Sequence, residues 1–204
     1  MQSGKKFVVA ALQMNSRSDG AANLAKIYEM LQECKKRGAS LVSMPEGFYL
    51  LGCKRDVYSE KAERMDGPLM KKMSGWAKEF GLWLSLGGLQ EPSEDKERIY
   101  NTHILMDTEG EIRQVYRKTH LFDIDIPGAP HLKESAFTMP GPEILPPFET
   151  PFARVGLSIC YDLRFPELYR KFFYAGVDMI LVPSAFLVKT GQAHWEVLLR
   201  ARAM

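Results

Sequence analysis

VGLSICYDLRFPELYR, residues 155–170, reads as an apolar strand that runs into a cysteine, then a charged cluster, then a helix opened by a proline. Pro166 suits the first turn of a helix, where its missing N–H would have had no partner. A strand passing almost directly into a helix is the repeating unit of an α/β protein. The rest of the chain repeats it. KFVVAALQM (6–14) is a strand, and a buried one on its apolar content. DGAANLAKIYEMLQECKKRG (19–38) is an amphipathic helix with Leu24, Ile27, Leu31 and Cys34 on one face and Gly38 as its stop. ASLVSMPEG (39–47) is a strand ended by Pro45, GPLMKKMSGWAKEFG (67–81) a helix, and LWLSLGGLQE (82–91) a strand followed by the polar loop PSEDKE. YNTHILMDTEGEIRQVYRK (100–118) reads as a hairpin around the turn DTEGE. Residues 121–150 form a long irregular stretch rich in Pro and Gly, and a loop of that length inside a domain is usually functional or disordered. RVGLSICYD (154–162), FPELYRKFFYAG (165–176), VDMILVPSAF (177–186) and AHWEVLLRARAM (193–204) then give strand, helix, strand, helix. The fold class is α/β with a layered sheet.

The bulk composition narrows the function. A net charge of +2 is too small to imply a nucleic-acid or membrane partner. No stretch approaches the ~18 apolar residues of a membrane helix. Three cysteines, Cys34, Cys53 and Cys160, do not make a disulfide framework and fit a reducing, cytoplasmic compartment. Lys5 and Lys6 before an apolar run resemble a short signal peptide, but the run is brief and no clean cleavage site follows, so a first strand is the better reading. HLFDIDIPGAPH (120–131) holds His120, Asp123, Asp125 and His131 at no recognised ligand spacing, so no metal is expected. GLSIC lacks the second glycine of a serine-hydrolase elbow, and SLGGLQ lacks the lysine of a phosphate loop.

Three of the strands end in a reactive side chain: Glu46 after SLVSMP, Lys118 after IRQVYR and Cys160 after RVGLSI. In open α/β sheets ligands sit beyond the carboxyl ends of the strands. A free thiol of pKa ~8.5 is mostly protonated at neutral pH, and a neighbouring ammonium and a helix start near Pro166 are expected to favour the thiolate. A carboxylate can take the thiol proton and later activate water. An ammonium and the backbone N–H just past the nucleophile can hold an oxyanion. An acid, an amine and a thiol so placed make a covalent acyl-transfer site. Asp162, Arg164 and Glu167 are expected to form a network that fixes the turn so that the Tyr161 N–H faces the oxyanion, and a carboxylate-binding role for Arg164 is the lesser reading. Cys34 and Cys53 are expected to be inert, and His194 and Trp195 to pack the last helix.

At these residues the sequence resembles the nitrilase superfamily, the carbon–nitrogen hydrolases. MPEGF, YRKTHLFDIDIPG, GLSICYDLRFPEL and AHWEVLLRARA look like that family's signature blocks, in its order and across residues 5–204. The resemblance implies an αββα sandwich, a cofactor-free and metal-free amidase acting on a small-molecule amide, and association into a homo-oligomer. It assigns Glu46 as general base, Lys118 as oxyanion stabiliser, Cys160 as nucleophile, Tyr161 N–H as oxyanion donor and Glu134, in HLKESAF, as a supporting acid. GLWLSLGGLQE, YNTHILMD and PSAFLVKTGQAHWEVLLRARA look most like the Nit branch, whose members include deaminated-glutathione amidases, alone or fused to a Fhit domain, and ω-amidases of α-ketoglutaramate. The former match is the better, and no Fhit-like His-rich site follows. Members of the branch can occupy a mitochondrial pool, though no transit peptide is evident here. Relatives continue past RARA with further strands and helices, so the resemblance implies a sandwich incomplete at its C-terminus. A fragment without activity that binds another protein is the reading of a different class.

Overall fold

A computed structural model describes residues 6–125 and 132–204. The first sheet has five strands in the order β1 (Val8–Ala11), β2 (Ala39–Ser43), β3 (Trp83–Pro92), β4 (Ile99–Met106) and β5 (Ile112–Arg117). β1, β2 and β3 run parallel, while β3, β4 and β5 are antiparallel neighbours. Helices α1 (Gly20–Lys36) and α3 (Pro68–Phe80) cover one face of this sheet. Two further strands, β6 (Asp123–Ile124) and β7 (Leu132–Lys133), pair with each other. The second sheet places β9 (Arg154–Leu157) between β8 (Phe148–Glu149) and β10 (Met179–Leu181), and α4 (Pro166–Tyr174) and α5 (Val188–Ala203) lie against it. The layers run helix, sheet, sheet, helix, as the resemblance implied.

Strand alternation creates the two cores. Leu82, Leu84 and Leu86 pack toward α1 and α3 with Ile27, Leu31 and Met73. The neighbouring Trp83, with Leu41, Leu105 and Tyr116, faces Val155, Leu157 and Ile159 of the other sheet. Successive strand residues point to opposite faces, so one strand feeds both interiors. The helix ends follow local chemistry. The Asp19 side chain accepts from the Ala22 N–H at the start of α1, and Gly81 closes α3 in the left-handed region at φ 60°.

Several expectations need correction. β1 is not buried: it is an edge strand with Val8 47% and Val9 39% exposed, because it pairs on one side only. β9 stops at Leu157, three residues before the cysteine, and the chain enters a 3-10 turn over Cys160–Arg164. The stretch 121–150 is not devoid of regular structure, since it holds β6, β7, β8 and a 3-10 turn at Glu134–Ala136. A short helix, α2 (Arg55–Glu60), had no apolar periodicity to announce it, and none of its residues is buried. α5 begins at Val188, five residues ahead of the expected start.

Candidate active site

The nucleophile candidate sits on a tight bend. Cys160 has φ +44°, and it is the non-glycine residue with positive φ among the described residues. Such a backbone costs of order 1–3 kcal/mol and persists only where neighbours over-determine it. Here they do. The Cys160 N–H donates to the Pro183 carbonyl at 2.9 Å, and the Ile159 N–H to Asp162 Oδ2 at 2.8 Å. Asp162 is fully buried and also accepts from the Tyr116 hydroxyl at 2.8 Å and the His120 N–H at 3.1 Å, with His120 Nδ1 at 2.7 Å. Asp162 thus ties the bend to the end of β5, as expected of it. Its two charged neighbours do not join that network. Glu167 is exposed, and Arg164 lies over the Tyr161 and Phe186 rings with His194 Nδ1 3.3 Å from its guanidinium. Tyr161 is the second residue of the 3-10 turn, and the first N–H groups of a helical turn have no acceptor within it.

The three strand ends converge, and Glu134 joins them. Lys118 is 2% exposed, with Nζ 3.2 Å from Glu46 Oε1 and 3.1 and 2.9 Å from the two Glu134 oxygens. Asn101 Nδ2 donates to Glu46 Oε1 at 2.9 Å, and the Ala185 N–H to Glu46 Oε2 at 2.9 Å. Glu134 Oε2 takes the Phe122 N–H at 2.6 Å. Burial raises the Glu46 pKa, but the Lys118 charge and hydrogen bonds from Cys160, Asn101 and Lys118 outweigh it, and the carboxyl titrates below its ordinary range. Burial disfavours the charged form of Lys118, yet Glu46 and Glu134 outweigh it and raise its pKa.

Cys160 departs from expectation. Its pKa is raised well above the ordinary thiol value, by burial first, then by the Glu46 charge and the hydrogen bond to Glu46, with Lys118 only partly offsetting them. The sequence suggested a thiolate favoured by a lysine and a helix start. Burial and the Glu46 carboxylate reverse that balance, and α4 begins six residues further on. The resting group is a thiol hydrogen-bonded to the Glu46 carboxylate, a group that can accept its proton.

These groups open into a cavity of about 260 Å³ whose walls include Tyr58, Tyr100, Phe122 and Phe186, with Lys133 and Arg164 as further cations. Largely apolar walls with a few converging polar groups are the usual form of a small-molecule site. The Glu46 segment, which lines the cavity, packs closely on Gly87 and Gly88 of β3. A Cβ on Gly87 would lie 2.1 Å from Pro183, and one on Gly88 2.8 Å from the Glu46 Cα. SLGGLQ therefore serves close backbone approach. Sequence reading missed Asn101, the Ala185 N–H and Tyr58 of α2. An asparagine inside a strand was the available signal for the first. The other two depend on tertiary placement.

The remaining candidates lie elsewhere. Cys34 is buried in the core under α1, and Cys53 is half-buried. Trp195 packs against Phe186 at 5.0 Å between ring centres, and His194 is exposed. Among the described residues no group of three or more His, Cys, Asp or Glu side chains is gathered for a metal, and no helix is long and apolar enough to cross a membrane. His131, one of the residues weighed for a metal, lies outside the described residues.

The carbon-nitrogen hydrolase family model matches residues 8–204. A deaminated glutathione amidase of Rattus norvegicus is 44% identical over 97% of this chain, and an omega-amidase of Homo sapiens is 39% identical over 97% of it. The chain spans 61% of the length of the first and 70% of the second. The crystal structure of the Caenorhabditis elegans NitFhit protein superposes with a TM-score of 0.90 at 41% identity, covering 96% of this chain and 48% of that one.

Proposed function

Because the chain belongs to the carbon–nitrogen hydrolase family, we propose that it is a cysteine-dependent amidase that hydrolyses a primary amide of a small carboxylate metabolite to carboxylate and ammonia. The observation that carries the reading is the grouping of Glu46, Lys118 and Glu134 at hydrogen-bond distances beside the Cys160 thiol, at one end of a cavity. Cys160 Sγ attacks the amide carbonyl while Glu46 takes the thiol proton. Lys118 and the Tyr161 N–H receive the negative charge that develops on the carbonyl oxygen. Glu46 returns the proton to the leaving nitrogen, and ammonia departs. A water then gives its proton to Glu46, attacks the thioester and frees the acid and the thiol. Glu134 keeps Lys118 in place and charged throughout. No step calls for a metal or cofactor.

The similarity to deaminated glutathione amidases favours deaminated glutathione as substrate, and Lys133 and Arg164 in the cavity wall suit a substrate that carries carboxylates. The similarity to an omega-amidase supports α-ketoglutaramate as the second candidate. We place the protein in a reducing, cytoplasmic compartment on its free cysteines, and as a homo-oligomer on the family resemblance. The test is ammonia release by the 204-residue chain from both amides. Release is expected with deaminated glutathione as the faster substrate, and Cys160→Ala is expected to remove nearly all of it, because the covalent route has no substitute. Equal turnover by Cys160→Ala would reject the nucleophile. No release from folded protein would favour the binding-only reading.

A further inference from the structure

His103 is fully buried on β4 and belongs to none of the steps above. Its Nδ1 lies 3.0 Å from the Ser158 carbonyl oxygen, and its Nε2 lies 2.7 Å from Ser85 Oγ. A carbonyl only accepts, so Nδ1 carries the proton and Nε2 is the acceptor. Ser85 must then donate its single hydroxyl proton to the ring and accept from Ser43 Oγ, 3.0 Å away. One directed chain results: Ser43 to Ser85 to His103 to the Ser158 carbonyl. It crosses β2, β3 and β4 and then passes between the sheets. Its ends are informative, because Ser43 precedes Glu46 by three residues and Ser158 precedes Cys160 by two. Asn101, which donates to Glu46, is two residues from His103 on the same strand.

We propose that His103 is a positioning residue: through its Nδ1–H it fixes the Ser158 carbonyl, and with it the strained bend that presents Cys160 to Glu46. The other restraints on that bend come from its own side of the sandwich or from Asp162. The Ser158 and Cys160 N–H groups donate to Leu181, the last residue of β10, and Pro183, just past it, and the Ser158 hydroxyl donates to Leu181 and accepts from Tyr169. His103 reaches the bend from the sheet that carries the base. Sub-ångström errors in the placement of reacting atoms are costly, so a bond that sets one sheet against the other acts on the attack itself. Ser85 and Ser43 hold the ring in the tautomer that keeps the donor facing Ser158.

The test compares two carboxamides in the 204-residue chain. In His103→Asn the side-chain N–H takes the place of Nδ1–H and can still reach Ser158. In His103→Gln the carboxamide is carried to the Nε2 end, and the bond to Ser158 is lost. Two readouts are taken after circular dichroism matches wild type: steady-state ammonia release, and amide hydrogen exchange in peptides spanning 155–165. His103→Gln is expected to lower kcat at least tenfold with KM within about twofold, and to speed exchange at 155–165 without speeding it in α1. His103→Asn is expected to recover most of both. Ser85→Ala removes one interior oxygen and frees the ring to change tautomer. It keeps the test open if His103→Gln does not fold, and is expected to lower kcat several-fold and speed exchange at the same peptides. Wild-type exchange and kcat in folded Ser85→Ala or His103→Gln would overturn the proposal, as would recovery by Gln and not by Asn. The exchange readout needs no turnover, so a wild-type chain that releases no ammonia would reject the amidase reading and leave this inference testable.

Discussion

Cys160 keeps its proton in the resting site because burial disfavours the thiolate first, and the Glu46 charge then outweighs that of Lys118. The sequence showed the lysine and the cysteine near strand ends but not how deeply the thiol is buried or that Glu46 faces it, and these decide the thiol. His103 is the complementary case. Burial lowers its pKa from 6.5 to about 4, against the Ser158 hydrogen bond and the Asp162 charge, which raise it. The unfolded chain therefore takes a proton near pH 6.5 that the folded chain refuses until about pH 4. The associated stability is fully present above pH 6.5 and is lost as pH falls toward 4. A shift of this size corresponds to about 3 kcal/mol at ~1.4 kcal/mol per unit. Urea unfolding at pH 7.0 and pH 4.5 should show this loss in wild type. His103→Asn, which has no titrating group there, should lose correspondingly less, and equal losses in both proteins would show that His103 is not the group responsible.

At the scale of elements, the Glu46–Gly47 segment just past β2 must come unusually close to the middle of β3. Gly88 has φ +64° and its missing Cβ would lie 2.7 Å from the Gly47 nitrogen and 2.8 Å from the Glu46 Cα. Gly88→Ala combines left-handed strain with a backbone clash, and flexible side chains cannot relieve it. It should cost about 1–3 kcal/mol of stability, and because the displaced atoms belong to the segment that carries Glu46, activity should fall more than a hundredfold. Thermal unfolding and ammonia release on the same sample check both parts, and a destabilised variant with normal kcat would break the link to Glu46. Elements with a clear period, α1, α3, α4 and the β4–β5 hairpin, were legible from sequence because their apolar spacing is local. The apolar strands that lead to Glu46, Lys118 and Cys160 were legible for the same reason, though two of them stop three residues short of the side chain, and the family resemblance pointed to Glu134. Asn101 and the Ala185 N–H were not, because they meet Glu46 from 55 and 139 residues away. Exposure of β1 also escaped, since an apolar strand reads the same at the edge of a sheet as at its centre.

On the scale of the whole molecule, the sandwich joins a densely buried half to a lightly held one. The first sheet and α1 and α3 share one large core, whereas no residue of α5 is buried. Yet Phe186, Leu187 and Thr190, at and just before the start of α5, line the cavity. A weakly anchored element therefore forms part of the wall that would contact substrate. It is anchored by Trp195, Leu198 and Leu199, which pack against the second core, by Arg164 beside His194, and by Arg202, whose Nε donates to the Leu163 carbonyl at 3.0 Å and whose guanidinium lies 5.3 Å from the Tyr169 ring centre. One charge-assisted hydrogen bond and one cation–π contact amount to about 1–3 kcal/mol together. Arg202→Ala should therefore speed amide exchange across Val188–Ala203 at least several-fold, while α1, packed on the other core, keeps its protection. Glu46, Lys118 and Cys160 are held by other elements, so kcat should change by less than about threefold while KM rises several-fold as the cavity wall loosens. If exchange in α5 speeds and KM stays at its wild-type value, the start of α5 lines the cavity without contributing to substrate binding, and specificity rests with the walls built from Tyr58, Tyr100 and Phe122.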